Sequence, residues 1–274
     1  MNNISIEYLI NILKKGKRVD SRKLDEMRDV EITYDVSEHA EGSARVKLGD
    51  TEVIAGVKLE VGTPFPDSPN EGVIMVGAET LPLSSPDFES GPPDVASIEL
   101  ARVVDRAIRE SHAIDLGKLC IIEKEKVWMV LIDIYSINDA GNLQDAATLA
   151  ALAALKKAKF PLFDGEKVNY KERKGNLPMK ELPVECTNIK VGDKILSDAN
   201  LDEQKWLDAR LTIATTEKGE ICAMQKGGTG VLTINDVKEM IRVSLKNGKI
   251  LRDKLKWNSQ NMKKPELLVR ELCK

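Results

Sequence analysis

One stretch, residues 127–155 (VWMVLIDIYSINDAGNLQDAATLAALAAL), constrains this chain more than any other. It reads as a strand, a tight turn at Asp139-Ala140-Gly141-Asn142, and a helix of small residues from about Leu143. Residues 127–137 are nearly all apolar or β-branched, which predicts a strand covered on both faces. The alanines that follow predict a helix whose backbone lies close against a sheet. A glycine turn from strand to helix commonly aims backbone amides at a phosphate. This turn, however, carries no Lys, Arg, Ser or Thr to complete such a site.

A chain of 274 residues has room for a large core, in one domain or in two halves that share one. Hydrophobic residues make up 42% and charged residues 31%, with no apolar run of bilayer length. The basic residues near the N-terminus follow the apolar ones, the reverse of a secretory signal. The expectation is a cytoplasmic protein without a membrane role. Cys120, Cys186, Cys222 and Cys273 form no Cys-x-x-Cys pair, and His39 and His112 lie far from them, which argues against structural zinc. Two histidines also give little support to Ser-His-Asp or Cys-His catalysis. The net charge of −3 means that any nucleic-acid contact must come from a local basic patch. The most basic segment is residues 246–274, read as a solvated helix face with a frayed end.

Taken in order, residues 4–15 carry a helical apolar stripe ended by Gly16, and residues 17–22 form a polar link. Residues 30–36 predict a strand, and 44–48 with 52–61 predict a hairpin across Gly49-Asp50. A proline-rich loop follows, then a strand over 73–83 and a second loop ending Gly91-Pro92-Pro93-Asp94. The next helix spans about 95–111, with Ile98, Ala101, Val104 and Ile108 as its apolar stripe and Asp94 or Ser97 as cap. Arg102, Arg106 and Arg109 recur at i, i+4 and i+7 on one face. Either they pair with Glu99, Asp105 and Glu110 on a solvated surface, or they form a binding face. Residues 156–182 read as a long polar connection. Strands then follow at 184–191, 209–216 and 220–226, with Gly227-Gly228-Thr229-Gly230 as a turn into a helix capped by Thr233 and Asp236. The acidic run Asp198, Asp202, Glu203 and Asp208 is either a solvated loop or a Mg²⁺ site. This order predicts an α+β fold of two related halves in one domain: about 1–157, a connection over 158–183, about 184–260, and a basic end over 261–274.

Three stretches then carry a resemblance. They are Arg18-Val19-Asp20-Ser21-Arg22-Lys23 with the segment from Gly42 to Thr51, Gly91-Pro92-Pro93-Asp94 leading into residues 98–106, and Asp139-Ala140-Gly141 with its alanine-rich helix. In that order and spacing the chain resembles the RNase PH family of phosphate-dependent exoribonucleases, and within it the non-catalytic ring subunits of the archaeal exosome. The resemblance implies an RNase PH-like fold of the ribosomal protein S5 domain 2-like type. In catalytic members a Gly-Thr-Arg at the turn holds the attacking phosphate, whereas here Gly141 is followed by Asn142 and Leu143. Catalytic members also carry two aspartates six residues apart, at the positions of Gln204 and Arg210 here. The resemblance therefore implies no catalytic residues, with Leu143, Gln204 and Arg210 marking the loss, and no cofactor on this chain. Inorganic phosphate and Mg²⁺ would be used by a catalytic partner subunit. It further implies that Arg102 and Arg106, with Arg109 beside them, grip single-stranded RNA. Three heterodimers would form a hexameric ring that receives RNA-binding cap subunits. The competing expectation is a divergent Mg²⁺-dependent ribonuclease built on the acidic run.

Overall fold

The computed structural model describes residues 6–256. In chain order the elements are α1 (Ile6–Lys14), β1 (Val30–Tyr34), β2 (Gly42–Leu48), β3 (Thr51–Gly62), β4 (Val73–Thr80), α2 (Val95–Glu110), β5 (Cys120–Ile122), β6 (Lys126–Asn138) and α3 (Leu143–Lys157). Then come β7 (Lys159–Phe163), β8 (Val168–Asn176), β9 (Val184–Val191), β10 (Lys194–Ser197), α4 (Leu201–Gln204), β11 (Ala209–Thr215), β12 (Ile221–Gly227) and α5 (Ile234–Leu255). The first sheet runs β1-β2-β3-β6-β4, with β5 also on β6; only β4 and β6 pair in parallel. The second runs β10-β9-β11-β12 and is antiparallel throughout.

α2 and α3 lie between the sheets, and α5 covers the far face of the second sheet. Val184, Cys186, Leu251 and Leu255 from the second half join the core cluster of the first. α3 is buried on nearly every side from Asp145 to Leu155, so no face of it has to be polar. Its alanines let β2 approach so closely that a Cβ on Gly42 would lie 2.6 Å from the backbone nitrogen of Ala158. Only glycine fits there.

Several expectations change. β6 is fully buried on one face and only partly on the other: Trp128, Val130, Ile132, Ile134 and Ser136 point inward, whereas opposite them Val127 is buried, Met129 and Leu131 are partly covered, and Asp133 and Tyr135 are exposed. An apolar run on a strand that pairs on both edges does not require two covered faces. In α2 the buried stripe is Leu100, Val103, Val104, Ala107 and Ile108, and Ile98 is 49% exposed. The connection over 158–183 contains the β7–β8 hairpin, turned at Asp164 and Gly165. Within the polar link at 17–22, Arg18 is buried. Of the basic segment, residues 246–255 belong to α5, and the part past residue 256, Cys273 included, lies outside the described residues. Cys120, Cys186 and Cys222 are free thiols, and burial pushes Cys186 well up.

Candidate RNA-binding face and altered catalytic positions

α2 is fixed before its arginines are placed. The Asp94 carboxylate accepts from the Ser97 amide at 2.7 Å and from Ser97 Oγ at 2.6 Å, and Ser97 Oγ is 2.8 Å from Thr80 Oγ1 on β4. The cap thus also anchors the helix to the sheet. With the apolar stripe turned inward, Glu99, Arg102, Arg106 and Arg109 are left on the outer side.

The three arginines differ in what holds them. Arg102 is exposed and has no hydrogen-bond or ion-pair partner among the described residues. Arg106 is half-buried, and its Nη1 donates to Gln225 Oε1 at 3.0 Å and to the Met224 carbonyl at 3.4 Å. Arg109 donates to both oxygens of Asp105, at 3.2 and 2.7 Å, and to the Ile74 carbonyl at 3.0 Å. The Asp105 bond holds the Arg109 pKa above the ordinary value. The solvated-pair expectation therefore describes Arg109, and the open-face expectation describes Arg102. Glu99 pairs with none of the three; it reaches across to Arg210 on β11 at 2.7 Å. A cleft of about 490 Å³ beside the start of α2 is lined by Glu79, Asp87, Glu89 and Asp94, a charge that repels a polyanion.

The turn before α3 is held from within. Gly141 has φ +95° and Asn142 φ +61°. Arg28 donates to the carbonyls of Ala140 and Gly141 at 3.0 and 2.9 Å, and Thr51 Oγ1 donates to Gly141 at 2.6 Å. Asn142 Nδ2 donates to Asp145 Oδ2 and Asp198 Oδ1, both at 2.8 Å. The Leu143 side chain packs half-buried against the core and offers an anion no donor. The turn abuts the residues leading into α4, where a Cβ on Gly141 would be 2.6 Å from the Ala199 carbonyl oxygen. Leu143 and Gln204 therefore sit on neighbouring segments, while the Arg210 guanidinium is drawn to α2. No hydrogen bond joins Leu143, Gln204 and Arg210 among the described residues.

The acidic run is split: Asp198 and Glu203 are buried in ion pairs, whereas Asp202 is partly exposed and Asp208 exposed. Asp198 is buried and takes Arg28 Nη2 at 2.7 Å, Arg28 Nε at 2.9 Å and Arg22 Nη1 at 3.0 Å. Burial alone would raise its pKa, but the Arg28 bonds outweigh that and hold it below the ordinary range. Glu203 is buried against Arg18, which donates Nε at 2.8 Å and also Nη2. Asp208 accepts from the Gly192 amide at 2.7 Å and Asp202 lies 3.9 Å from Lys205. Among the described residues no three His, Cys, Asp or Glu side chains converge on a metal-sized site.

Among the buried acids that escaped the sequence reading, two have strongly raised pKa values. Asp145 is pushed up to about 7, chiefly by burial, against donors from Asn142 and Thr187. Glu185 is pushed up to about 8, again chiefly by burial; its Oε2 takes Thr148 Oγ1 at 2.6 Å and its Oε1 has no partner. A glutamate between Val184 and Cys186 in an otherwise apolar strand start was the available signal for the second. Nothing local signalled the first.

The arrangement offers a positive, half-tethered helix face beside a turn that carries no Lys, Arg, Ser or Thr side chain. The profile of the "3' exoribonuclease family, domain 1" matches residues 26–161, and that of domain 2 matches residues 181–247. The chain is 49% identical over 257 residues to the exosome complex component Rrp42 of Archaeoglobus fulgidus, covering 93% of this chain and 96% of the relative. It is 48% identical over 245 residues to that of Methanothermobacter thermautotrophicus, covering 88% and 90%. Among solved structures, a chain of the Archaeoglobus fulgidus exosome with RNA bound to the active site superposes with a TM-score of 0.86 at 49% identity, covering 92% of this chain and 97% of that one. A chain of an archaeal exosome core gives 0.82 at 46% identity, with 92% and 96% covered. Both halves of the fold and nearly the whole length are matched, and the chain belongs to the 3′ exoribonuclease, or RNase PH, family.

Proposed function

We propose that this chain is a non-catalytic structural and RNA-binding subunit of an archaeal exosome ring. It pairs with a catalytic RNase PH-like subunit, three pairs close a six-membered ring, and RNA-binding cap subunits dock on it. Single-stranded RNA is shortened from its 3′ end in the partner's site, by inorganic phosphate and with any Mg²⁺ held there. This chain braces that site and grips the RNA backbone through Arg102 and Arg106, with Arg109 as a lesser contributor because Asp105 already neutralises it. The reading is cytoplasmic, and no described helix is long and apolar enough to cross a membrane.

The observation that carries the grip is the state of Arg102: exposed, uncompensated, and one helical turn from Arg106 on a rigidly docked helix. Phosphate contacts of this kind are indifferent to base sequence, as general degradation requires. The lack of catalysis rests on Leu143, which cannot bind an anion, and on Gln204 and Arg210, where one carboxylate is replaced by an amide and the other by a cation. The names and structures of the relatives support the exosome setting.

The test is phosphate-dependent shortening of a labelled single-stranded RNA by this chain, by the catalytic partner, and by both. Activity that rises sharply only in the mixture is expected, together with loss of RNA affinity in the complex carrying Arg102→Glu and Arg106→Glu. Nucleoside diphosphate release by this chain alone would overturn the non-catalytic assignment.

A further inference from the structure

α2 carries three acids, Glu99, Asp105 and Glu110; Asp105 holds Arg109, and Glu99 lies on the stripe of Arg102 and Arg106. Glu99 stands three residues before Arg102 and seven before Arg106 on the same outer stripe. An acid and a base three apart on a helix surface are neighbours and attract when nothing else holds them. Here something does. Glu99 Oε1 accepts from Arg210 Nη2 at 2.7 Å and from Gln225 Nε2 at 3.1 Å. That donation orients the Gln225 amide, so its Oε1 faces Arg106 Nη1 at 3.0 Å. A hydrogen-bonded chain thus runs Arg210, Glu99, Gln225, Arg106 across the boundary between α2 and the β11–β12 pair.

The charges in this chain are matched in a particular way. The Arg210 and Glu99 side chains are only 16% and 31% exposed, so their attraction is less screened than that of a surface pair. Glu185 is a further carboxyl near Arg106 and Arg210, and its burial keeps it mostly neutral at pH 7. It therefore does not compete for Arg210. One cation and one anion cancel at Arg210 and Glu99, which leaves Arg102 exposed without a partner among the described residues and Arg106 tied only to the neutral Gln225 side chain and the Met224 carbonyl.

We propose that Arg210 is a positioning residue for RNA binding: by holding Glu99 across the α2–β11 boundary it keeps Arg102 and Arg106 available to RNA phosphates. This deepens the RNA-grip reading above and rests on it. Arg210 touches no RNA in this scheme and acts only through Glu99. The cation at a position where relatives with catalysis carry an aspartate then has a use of its own.

The experiment measures single-stranded RNA affinity of the assembled complex against salt. Arg210→Gln releases Glu99 onto Arg102, so affinity falls about fivefold, as expected for about 1 kcal/mol. The slope of log affinity against log salt shrinks by about 0.7, the value for one lost single-strand phosphate contact. Arg210→Lys, which can still hold Glu99 through one donor, keeps near-wild-type affinity. The double variant Glu99→Gln, Arg210→Gln returns to within about twofold of wild type, because no acid remains to occupy Arg102. Wild-type binding by Arg210→Gln would overturn the inference. So would a double variant as weak as the single one, which would make Arg210 a direct phosphate ligand. The complex carrying Arg102→Glu and Arg106→Glu is measured alongside. If it binds normally, the grip reading itself fails; if it binds weakly while Arg210→Gln binds normally, only the role of Arg210 is lost.

Discussion

Replacing Glu185 with glutamine should stabilise the protein, and by an amount that depends on pH. The carboxyl is 1% exposed, and burial moves it from 4.5 to about 8. Below pH 4.5 it is protonated in both folded and unfolded chains and makes no difference between them. Between 4.5 and 8 the unfolded chain ionises while the folded one does not, so stability present below 4.5 is lost as pH rises and levels off above 8. At pH 7 the accumulated loss is about 3 kcal/mol, at about 1.4 kcal/mol per unit. Glutamine copies the neutral acid: its oxygen can take Thr148 Oγ1, and its amide nitrogen stands where Oε1 already lacks a partner. The measurement is equilibrium urea unfolding, followed by fluorescence from the buried Trp128, for both proteins from pH 5 to 8. The glutamine variant should gain little at pH 5 and about 3 kcal/mol at pH 7. Curves that run parallel at every pH would refute the buried neutral carboxyl.

Two further outcomes test the turn and its support. Asp198→Asn removes the charge that buries Arg28 and Arg22, and should cost about 3–5 kcal/mol at pH 7 in the same assay. Because the folded pKa of Asp198 is depressed, the stability it supplies is present above its ordinary value of 3.8 and lost as pH falls below it, so the gap between variant and wild type should narrow in acid. Gly141→Ala adds a Cβ to a residue at φ +95° and 2.6 Å from a backbone oxygen, so a loss of at least about 2 kcal/mol is expected in thermal or urea unfolding.

The strand, turn and helix at residues 127–155 were legible because local pattern decides them: a β-branched run, a glycine turn and an alanine helix. So was the helix after Thr233, whose capping box with Asp236 is present. What local pattern could not reveal was which neighbour each surface meets. The arginine stripe of α2 was visible, but its three members differ through Asp105, Ile74, Gln225 and Met224, of which the last two lie on a strand more than a hundred residues away. The acidic run looked solvated because its partners, Arg18, Arg22 and Arg28, sit at the other end of the chain. The β7–β8 hairpin was hidden by charge: β8 is exposed along most of its length, so it has no apolar alternation to detect.

The pairing of those early arginines with late acids also bears on the order in which the chain acquires its shape. Arg28 and Asp198 are 170 residues apart, and Arg18 and Glu203 are 185 apart. During synthesis from the N-terminus the cations emerge first and wait for their counter-ions until most of the protein has been made. Contacts of such long separation repay their loop-closure cost last. A fragment ending near residue 157 would contain β6, the turn and α3, yet it would have no Asp198 to satisfy Arg28 or Asn142 beneath that turn. The most recognisable stretch of the sequence therefore depends on the second half for its final form, and the segment from the end of β10 through α4 acts as the clasp that locks the first.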